Sequence, residues 1–159
     1  MNIKIFVFCG LALFASAAIA AVSEKDFALF SEAPPKKIAH AKLQESDAFA
    51  KKNAMLFRKE LKAAPNFAGK YRLVQIACGS ACIQLAVVDC QSGIAYDLQT
   101  RITDAPGRPM EESNRIQFRK NSRLLVATGC KNEKNDACGF HQFEWSEEML
   151  KPISFSPFH

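Results

Sequence analysis

Apolar side chains repeat with a helical period in the segment that follows Ser46. A serine is a good helix N-cap, and Asp47 places a carboxylate in the first turn. Pro65 lacks a backbone donor and stops a helix. Between these positions the apolar residues fall at i, i+4, i+7 and i+11, which is one helical face: Ala50, Ala54, Phe57 and Leu61. The pattern predicts one amphipathic helix of about four turns, whose narrow stripe favours packing on a sheet over lying on a membrane.

From Lys70 onward the pattern changes to short runs rich in β-branched and aromatic residues. Turns are predicted at 89–93, 103–114, 120–122 and 146–148. Consecutive short strands joined by turns are typical of an antiparallel meander. We therefore predict an α+β fold, with one helix followed by a meander of about six or seven short strands. The strands are expected at 71–76, 83–88, 94–98, 116–118, 124–128, 140–145 and 149–153.

The first twenty residues have the organisation of a secretory signal peptide. Lys4 gives a positive start, an uncharged apolar run follows, and Ala18-Ile19-Ala20 matches the small-x-small pattern of a cleavage site. The apolar run is short for a membrane anchor. We expect a periplasmic or secreted protein with no membrane span after cleavage. The expected organisation is a signal peptide at 1–20, an extended N-terminal segment at 21–45 and a single α+β domain at 46–155.

The charge balance is mildly basic. The formal net charge is +5, and cleavage after Ala20 would remove one positive charge with Lys4. A mildly positive charge suits a protein that works near the anionic surfaces of the cell envelope. The basic residues are too few and too scattered for a nucleic-acid footprint, so we expect no nucleic-acid partner.

Five cysteines follow residue 20, and in an oxidising compartment most should be paired. Cys78 and Cys82 bracket a short turn, and Cys130 and Cys138 bracket a polar loop. We predict these two short-range disulfides, with a bridge between Cys82 and Cys130 as the main competing pairing. Cys90 is then the odd cysteine, either a buried core residue, a free thiol or an intermolecular bridge. The cysteine spacings lack the two-residue separation that is usual in a zinc knuckle, and no histidine cluster is near. We therefore expect no metal and no cofactor.

Two stretches resemble the active-site motifs of cysteine hydrolases. The run QIACGSAC is similar to the papain signature, but Ala81 is inserted before the second cysteine and Ile83 replaces the expected aromatic residue. The run DCQSG, with His141 further along the chain, is similar to the D-C-S-G…H arrangement of the NlpC/P60 peptidoglycan hydrolases. That resemblance implies a Cys90 nucleophile and a His141 base. The chain departs from it after Cys90, where the residues predict a strand and not a helix that would lower the thiol pKa.

A longer pattern resembles a group of small secreted bacterial proteins, whose motifs run NFAG(H)Y…(W)GCG(S/T)xC…(V/I)(I/V)Dxx(T/S)G. The matching parts of this chain are NFAGKY at 66–71, CGSAC at 78–82, VDCQSG at 88–93, SRLLVATG at 122–129 and FEW at 143–145. The resemblance covers about 66–153 and implies secretion and a β-rich domain. The group is uncharacterised, so it implies no activity. Lys70 stands where the group has histidine, and Ile76-Ala77 stands where it has Trp-Gly.

These observations favour an exported binding or interaction protein, such as an inhibitor or an envelope-associated module. Its partner would be an unidentified protein or a cell-envelope ligand. The alternative is a cysteine hydrolase acting on cell-wall peptide, with Cys90 as nucleophile and His141 as base. The acid pairs Glu111-Glu112 and Glu147-Glu148 fall in predicted turns, and we expect them to be solvated and not catalytic.

Overall fold

The computed structural model describes residues 22–38, 40–110 and 112–158, with the backbone alone at 112–113. The predicted signal peptide at 1–20 lies outside the described residues. The fold is α+β as predicted, with short helices packed on one antiparallel sheet. Among the described residues, no helix has both the length and the apolar character needed to cross a membrane.

The described strands form a seven-stranded sheet: β1 (Tyr71–Gly79), β2 (Cys82–Asp89), β3 (Ala95–Thr103), β4 (Ile116–Phe118), β5 (Leu124–Lys131), β6 (Cys138–Ser146) and β7 (Met149–Pro157). Their order is β1-β2-β3-β5-β6-β7, with β4 also paired to β5, and every pair is antiparallel. The predicted meander is therefore confirmed. β3 and β5 meet at two residue pairs, Ile102 with Lys131 and Thr103 with Cys130, and we call this narrow join the seam.

The close approach at the seam requires a glycine. Gly129 precedes Cys130 with a φ of +138°, a conformation that L side chains rarely adopt. A Cβ placed on Gly129 would lie 2.4 Å from the carbonyl oxygen of Thr103. The missing side chain therefore lets β3 approach β5.

The predicted helix is present but interrupted. The structure has α1 (Glu24–Leu29), α2 (Ala48–Lys52), α3 (Ala54–Glu60) and α4 (Glu112–Arg115). Asn53 separates α2 from α3, and its amide Nδ2 donates to the carbonyl of Phe49. Asp47, one residue after the predicted N-cap, accepts from the backbone amide of Ala50 at 2.7 Å. The apolar face itself is as predicted, because its four residues are all buried: Ala50, Ala54, Phe57 and Leu61.

The sheet curls around its main core. Side chains from β1 to β6 meet on one face in a single cluster that includes Phe67, Leu85, Ile102 and Leu125. The other face is covered by helices, with α2 and α3 packed over β1 to β3 and Phe27 of α1 packed on β5. The N-terminal segment thus contributes to the folded body. Because the sheet curls, the first strand lies near the sixth, although the two are far apart in the strand order.

The curled sheet has two ends. At one end lie the start of β1, the end of β2 and the β6–β7 turn, and we call this the cleft end. At the opposite end, the disulfide end, four residues pair in one row across the strands: Cys82, Thr103, Cys130 and Cys138. Both predicted disulfides, Cys78–Cys82 and Cys130–Cys138, are confirmed there, and Cys90 is the free cysteine of the described residues.

Candidate functional site

A cleft of about 380 Å³ opens at the cleft end. Its walls come from the N-terminal segment, the entry to β1, the start of β5 and the β6–β7 turn. The residues that matter below are Glu32, Lys70, Tyr71, Arg123, Trp145, Glu147 and Glu148. Parts of three segments, 66–71, 122–129 and 143–145, therefore meet at one place although they are distant in sequence.

Aromatic rings form the floor of the cleft. Trp145 is the single tryptophan of the chain and is only 2% exposed. Tyr71 and Tyr96 meet it edge-on, with ring centroids 5.4 and 5.5 Å away. Such edge contacts stabilise a ring in a defined position. The floor is therefore a rigid apolar surface beneath charged walls.

Lys70 is held in place by Asp89, the last residue of β2. Its Nζ donates to the Asp89 carboxylate at 2.6 Å and lies 4.9 Å from the centroid of the Tyr71 ring. Partial burial lowers the pKa of Lys70, but the hydrogen bond and the charge of Asp89, together with Tyr71, outweigh it and leave the pKa raised. Lys70 is thus a fixed cation.

Arg123 connects the N-terminal segment to the opposite side of the cleft. Its guanidinium donates to Glu32 and to Glu144, each at 3.0 Å. Its backbone amide also donates to the carbonyl of Phe30 at 2.8 Å, and its carbonyl accepts from the amide of Trp145 at 2.9 Å. One residue therefore joins the segment before β1 to the strand that carries the aromatic floor.

The β6–β7 turn is built from two acidic residues in an unfavourable backbone conformation. Ser146 pairs with Met149, so Glu147 and Glu148 form the tight turn, with φ values of +53° and +59°. Positive φ at both turn positions is the type I′ pattern, for which asparagine and glycine are preferred. Strain of this kind is often found at functional sites. The structure thus places the pair that was expected to be solvated at the cleft, although both side chains remain exposed.

The hydroxyl of Tyr96 is buried, and it lies close to the carboxylate of Glu148. Burial is the main reason that the pKa of Tyr96 is raised, and the nearby carboxylate of Glu148 adds to the effect. Buried hydroxyls normally have a partner. The Tyr96 hydroxyl therefore lies beneath the cleft beside Glu148, whose exposed carboxylate lines the cleft.

Carboxylates outnumber cations around the cleft. Glu148 has no lysine or arginine of the described residues within ion-pair distance. The cations are already paired: Lys70 with Asp89, Arg123 with Glu32 and Glu144, and Lys151 with Glu147. Among the residues that line the cleft, three carboxylates (Glu32, Glu147 and Glu148) thus face two cations (Lys70 and Arg123). The local balance is acidic although the chain as a whole is basic.

The structure does not bring Cys90 and His141 together. Cys90 belongs to the cluster that α2 and α3 cover, on the outer face of the sheet. His141 lies on β6 with its side chain on the same face as Phe143, which belongs to the main core. The two side chains that a hydrolase would use are therefore on opposite faces.

His141 is held by backbone groups. Its Nε2 lies 3.0 Å from the carbonyl oxygen of Ala137 and 3.2 Å from that of Gly129. Both partners only accept, so Nε2 carries the hydrogen. Burial lowers the pKa of His141, the two carbonyls raise it, and Lys131 lowers it further, with a net decrease. A neutral ring stacked 4.7 Å from Phe155 fits a role in joining β6 to β7.

We predict that the thiol of Cys90 stays unreactive while the protein is folded. Cys90 is fully buried, and burial, reinforced by Asp89 against the opposing effect of Arg72, raises its pKa to about 11. A thiol that is both buried and protonated is a poor nucleophile. Reaction with a chromogenic disulfide reagent at neutral pH should be at least about 100-fold slower in buffer than in concentrated guanidinium chloride.

The Cys90→Ser variant is the control, because it should give no thiol signal in either solvent. Rapid labelling of one thiol in the folded wild-type protein would contradict the prediction, and mass spectrometry of the labelled peptide would identify the cysteine responsible.

Sequence reasoning missed Tyr96, Arg123 and Glu148 as site residues. Tyr96 lies within a predicted strand, and no sequence pattern singled out Arg123 or Glu148 as lining a cleft. Among the described residues, no group of three or more His, Cys, Asp or Glu side chains is arranged to hold a metal ion.

Comparison with protein-family models, with curated proteins and with solved structures finds no match to this chain.

Proposed function

We propose that the protein is an exported binding protein whose cleft holds a cationic group of its partner, either an ammonium or a guanidinium. The signal-like start of the sequence and two disulfides support export to an oxidising compartment. The observation that supports a cationic ligand is the excess of carboxylates over cations above the aromatic floor of the cleft.

The chemistry of the cleft favours a cation over an anion. Lys70 and Arg123 could attract an anion, but the carboxylates that line the cleft outnumber them, and Arg123 is already shared between Glu32 and Glu144. Glu148 has no cationic partner among the described residues, and its exposed carboxylate lines the cleft. A bound ammonium could donate to it. Aromatic faces further stabilise cations, by about 0.5–2 kcal/mol in proteins.

A partner protein would supply such a group as a lysine or arginine side chain. Charged groups at an interface set specificity and association rate, which suits an inhibitor or an envelope-associated module. The hydrolase alternative lacks comparable support, because its two residues lie on opposite faces of the sheet.

Trp145 makes the proposal directly measurable. As the single tryptophan, it reports on the cleft through its intrinsic fluorescence. We predict that the mature protein shows a saturable fluorescence change with N-acetyl-lysine amide and with N-acetyl-arginine amide. The neutral analogue N-acetyl-norleucine amide should give no saturable change. Glu148→Gln should weaken binding of the cationic probes about tenfold, which corresponds to about 1.4 kcal/mol.

The matched control is Glu133→Gln, which removes an exposed carboxylate from the β5–β6 loop, away from the cleft. It should bind the cationic probes like the wild-type protein. An equal response to the neutral analogue would contradict the proposal, as would binding that Glu148→Gln leaves unchanged.

A further inference from the structure

Arg115 is a buried cation at the disulfide end, far from the cleft. It ends α4, directly before β4, and is 7% exposed. Its Nη2 donates to the carboxylate of Asp104. Its Nε is buried and has no partner among the described residues. Buried guanidinium nitrogens are normally hydrogen-bonded, so this orphaned donor needs an explanation.

A cavity of about 310 Å³ lies beside Arg115. Its other wall is the β1–β2 hairpin, including Gln75, Ala77, Cys82 and Ile83. The Cys78–Cys82 disulfide closes this hairpin and limits its movement. Arg115 is the charged residue among those that line the cavity. A charged donor therefore faces a hairpin wall that a disulfide holds in place.

We propose that this cavity binds a carboxylate through Arg115. A guanidinium presents donors in a planar fork that matches a carboxylate. Asp104 engages Nη2 and leaves Nε as a free donor. Because Asp104 already supplies one negative charge, a singly charged carboxylate is accommodated at lower electrostatic cost than doubly charged phosphate. The site is independent of the cation-binding cleft at the other end of the sheet.

The side-chain Nε–H resonance of Arg115 in a proton–nitrogen NMR spectrum is the direct readout. Sodium acetate is the probe, titrated into the full mature protein at neutral pH and constant ionic strength, with sodium chloride as the matched salt. We expect a saturable shift with acetate and none with chloride. Inorganic phosphate, titrated in the same way, should bind more weakly than acetate.

Two variants separate binding from a purely structural role. Asp104→Asn removes the competing carboxylate and should tighten acetate binding at least about threefold. Arg115→Lys keeps a charge but loses the fork, and should weaken acetate binding about tenfold, as followed by neighbouring backbone amides. The control Arg101→Gln changes an exposed arginine outside the cavity and should leave binding unchanged.

The proposal is overturned if acetate produces no saturable shift, which would leave water as the partner of Nε. Tighter binding of phosphate than of acetate would overturn the choice of ligand. Unchanged or weaker acetate binding in Asp104→Asn would also overturn it, and this variant keeps the test decisive if Arg115→Lys fails to fold.

Discussion

Asp89→Ala will lower the free energy of unfolding by about 3 kcal/mol. The Asp89 side chain is only 3% exposed and accepts from Lys70 Nζ at 2.6 Å. It also accepts from the backbone amides of Gln91 at 2.7 Å and Ser92 at 3.2 Å. Alanine would leave the turn amides and the lysine without their partner. We set the loss at the lower end of the range for broken buried pairs, because the Lys70 side chain is 34% exposed.

The measurement is urea unfolding followed by circular dichroism. The control is Glu45→Ala, which removes the exposed ion pair with Arg58 and should cost less than about 0.5 kcal/mol. If Asp89→Ala and Glu45→Ala lower the free energy of unfolding by the same small amount, the buried ion pair does not stabilise the cleft end. Asp89→Ala should also weaken the fluorescence response of the cleft, because Lys70 and Tyr71 would no longer be fixed.

Removing both disulfides will lower the free energy of unfolding by about 4–5 kcal/mol. Each bridge closes a short loop, across four residues for Cys78–Cys82 and eight for Cys130–Cys138. Loops of this length constrain the unfolded chain by about 2–3 kcal/mol each. The test compares urea unfolding of the wild-type protein with the Cys78→Ala/Cys82→Ala and Cys130→Ala/Cys138→Ala pairs, and with the combined variant.

The control for this series is wild-type protein unfolded in urea with and without dithiothreitol. Reduction should shift the unfolding midpoint in the same direction as the combined variant. Midpoints that are insensitive to dithiothreitol would contradict the prediction. A large loss on reduction would also agree with a protein that works outside the reducing cytoplasm.

Local patterns predicted the elements of this fold well. Runs of β-branched residues placed the strands, and short spacings placed both disulfides, because the determining contacts are close in sequence. The interruption at Asn53 was missed, since a single asparagine in a helical period is ordinary and its bond to Phe49 depends on the final backbone.

The candidate sites depended on long-range geometry that no local pattern contains. Tyr71 and Trp145 meet because the sheet curls, and neither residue's neighbours in sequence indicate that contact. Glu148 was expected in solvent and its side chain is exposed, but the turn pattern gave no indication of a cleft beside it. Arg115 lies between a predicted loop and a predicted strand, and no pattern singled it out. The significance of Arg115 comes from its unpartnered Nε, and that of Glu148 comes from its position at the cleft. Both are apparent only when the packing of distant segments is known.

The seam has a consequence for how the chain folds. On either side of it, β1 to β3 and β5 to β7 pair between neighbours in sequence, so each pairing closes a short loop. The pairing of Ile102 with Lys131 must instead close a longer loop, and the seam that results contains two residue pairs. Longer closures cost more entropy and slow folding. We expect two hairpin-built halves to form early and the seam to complete the sheet once both exist.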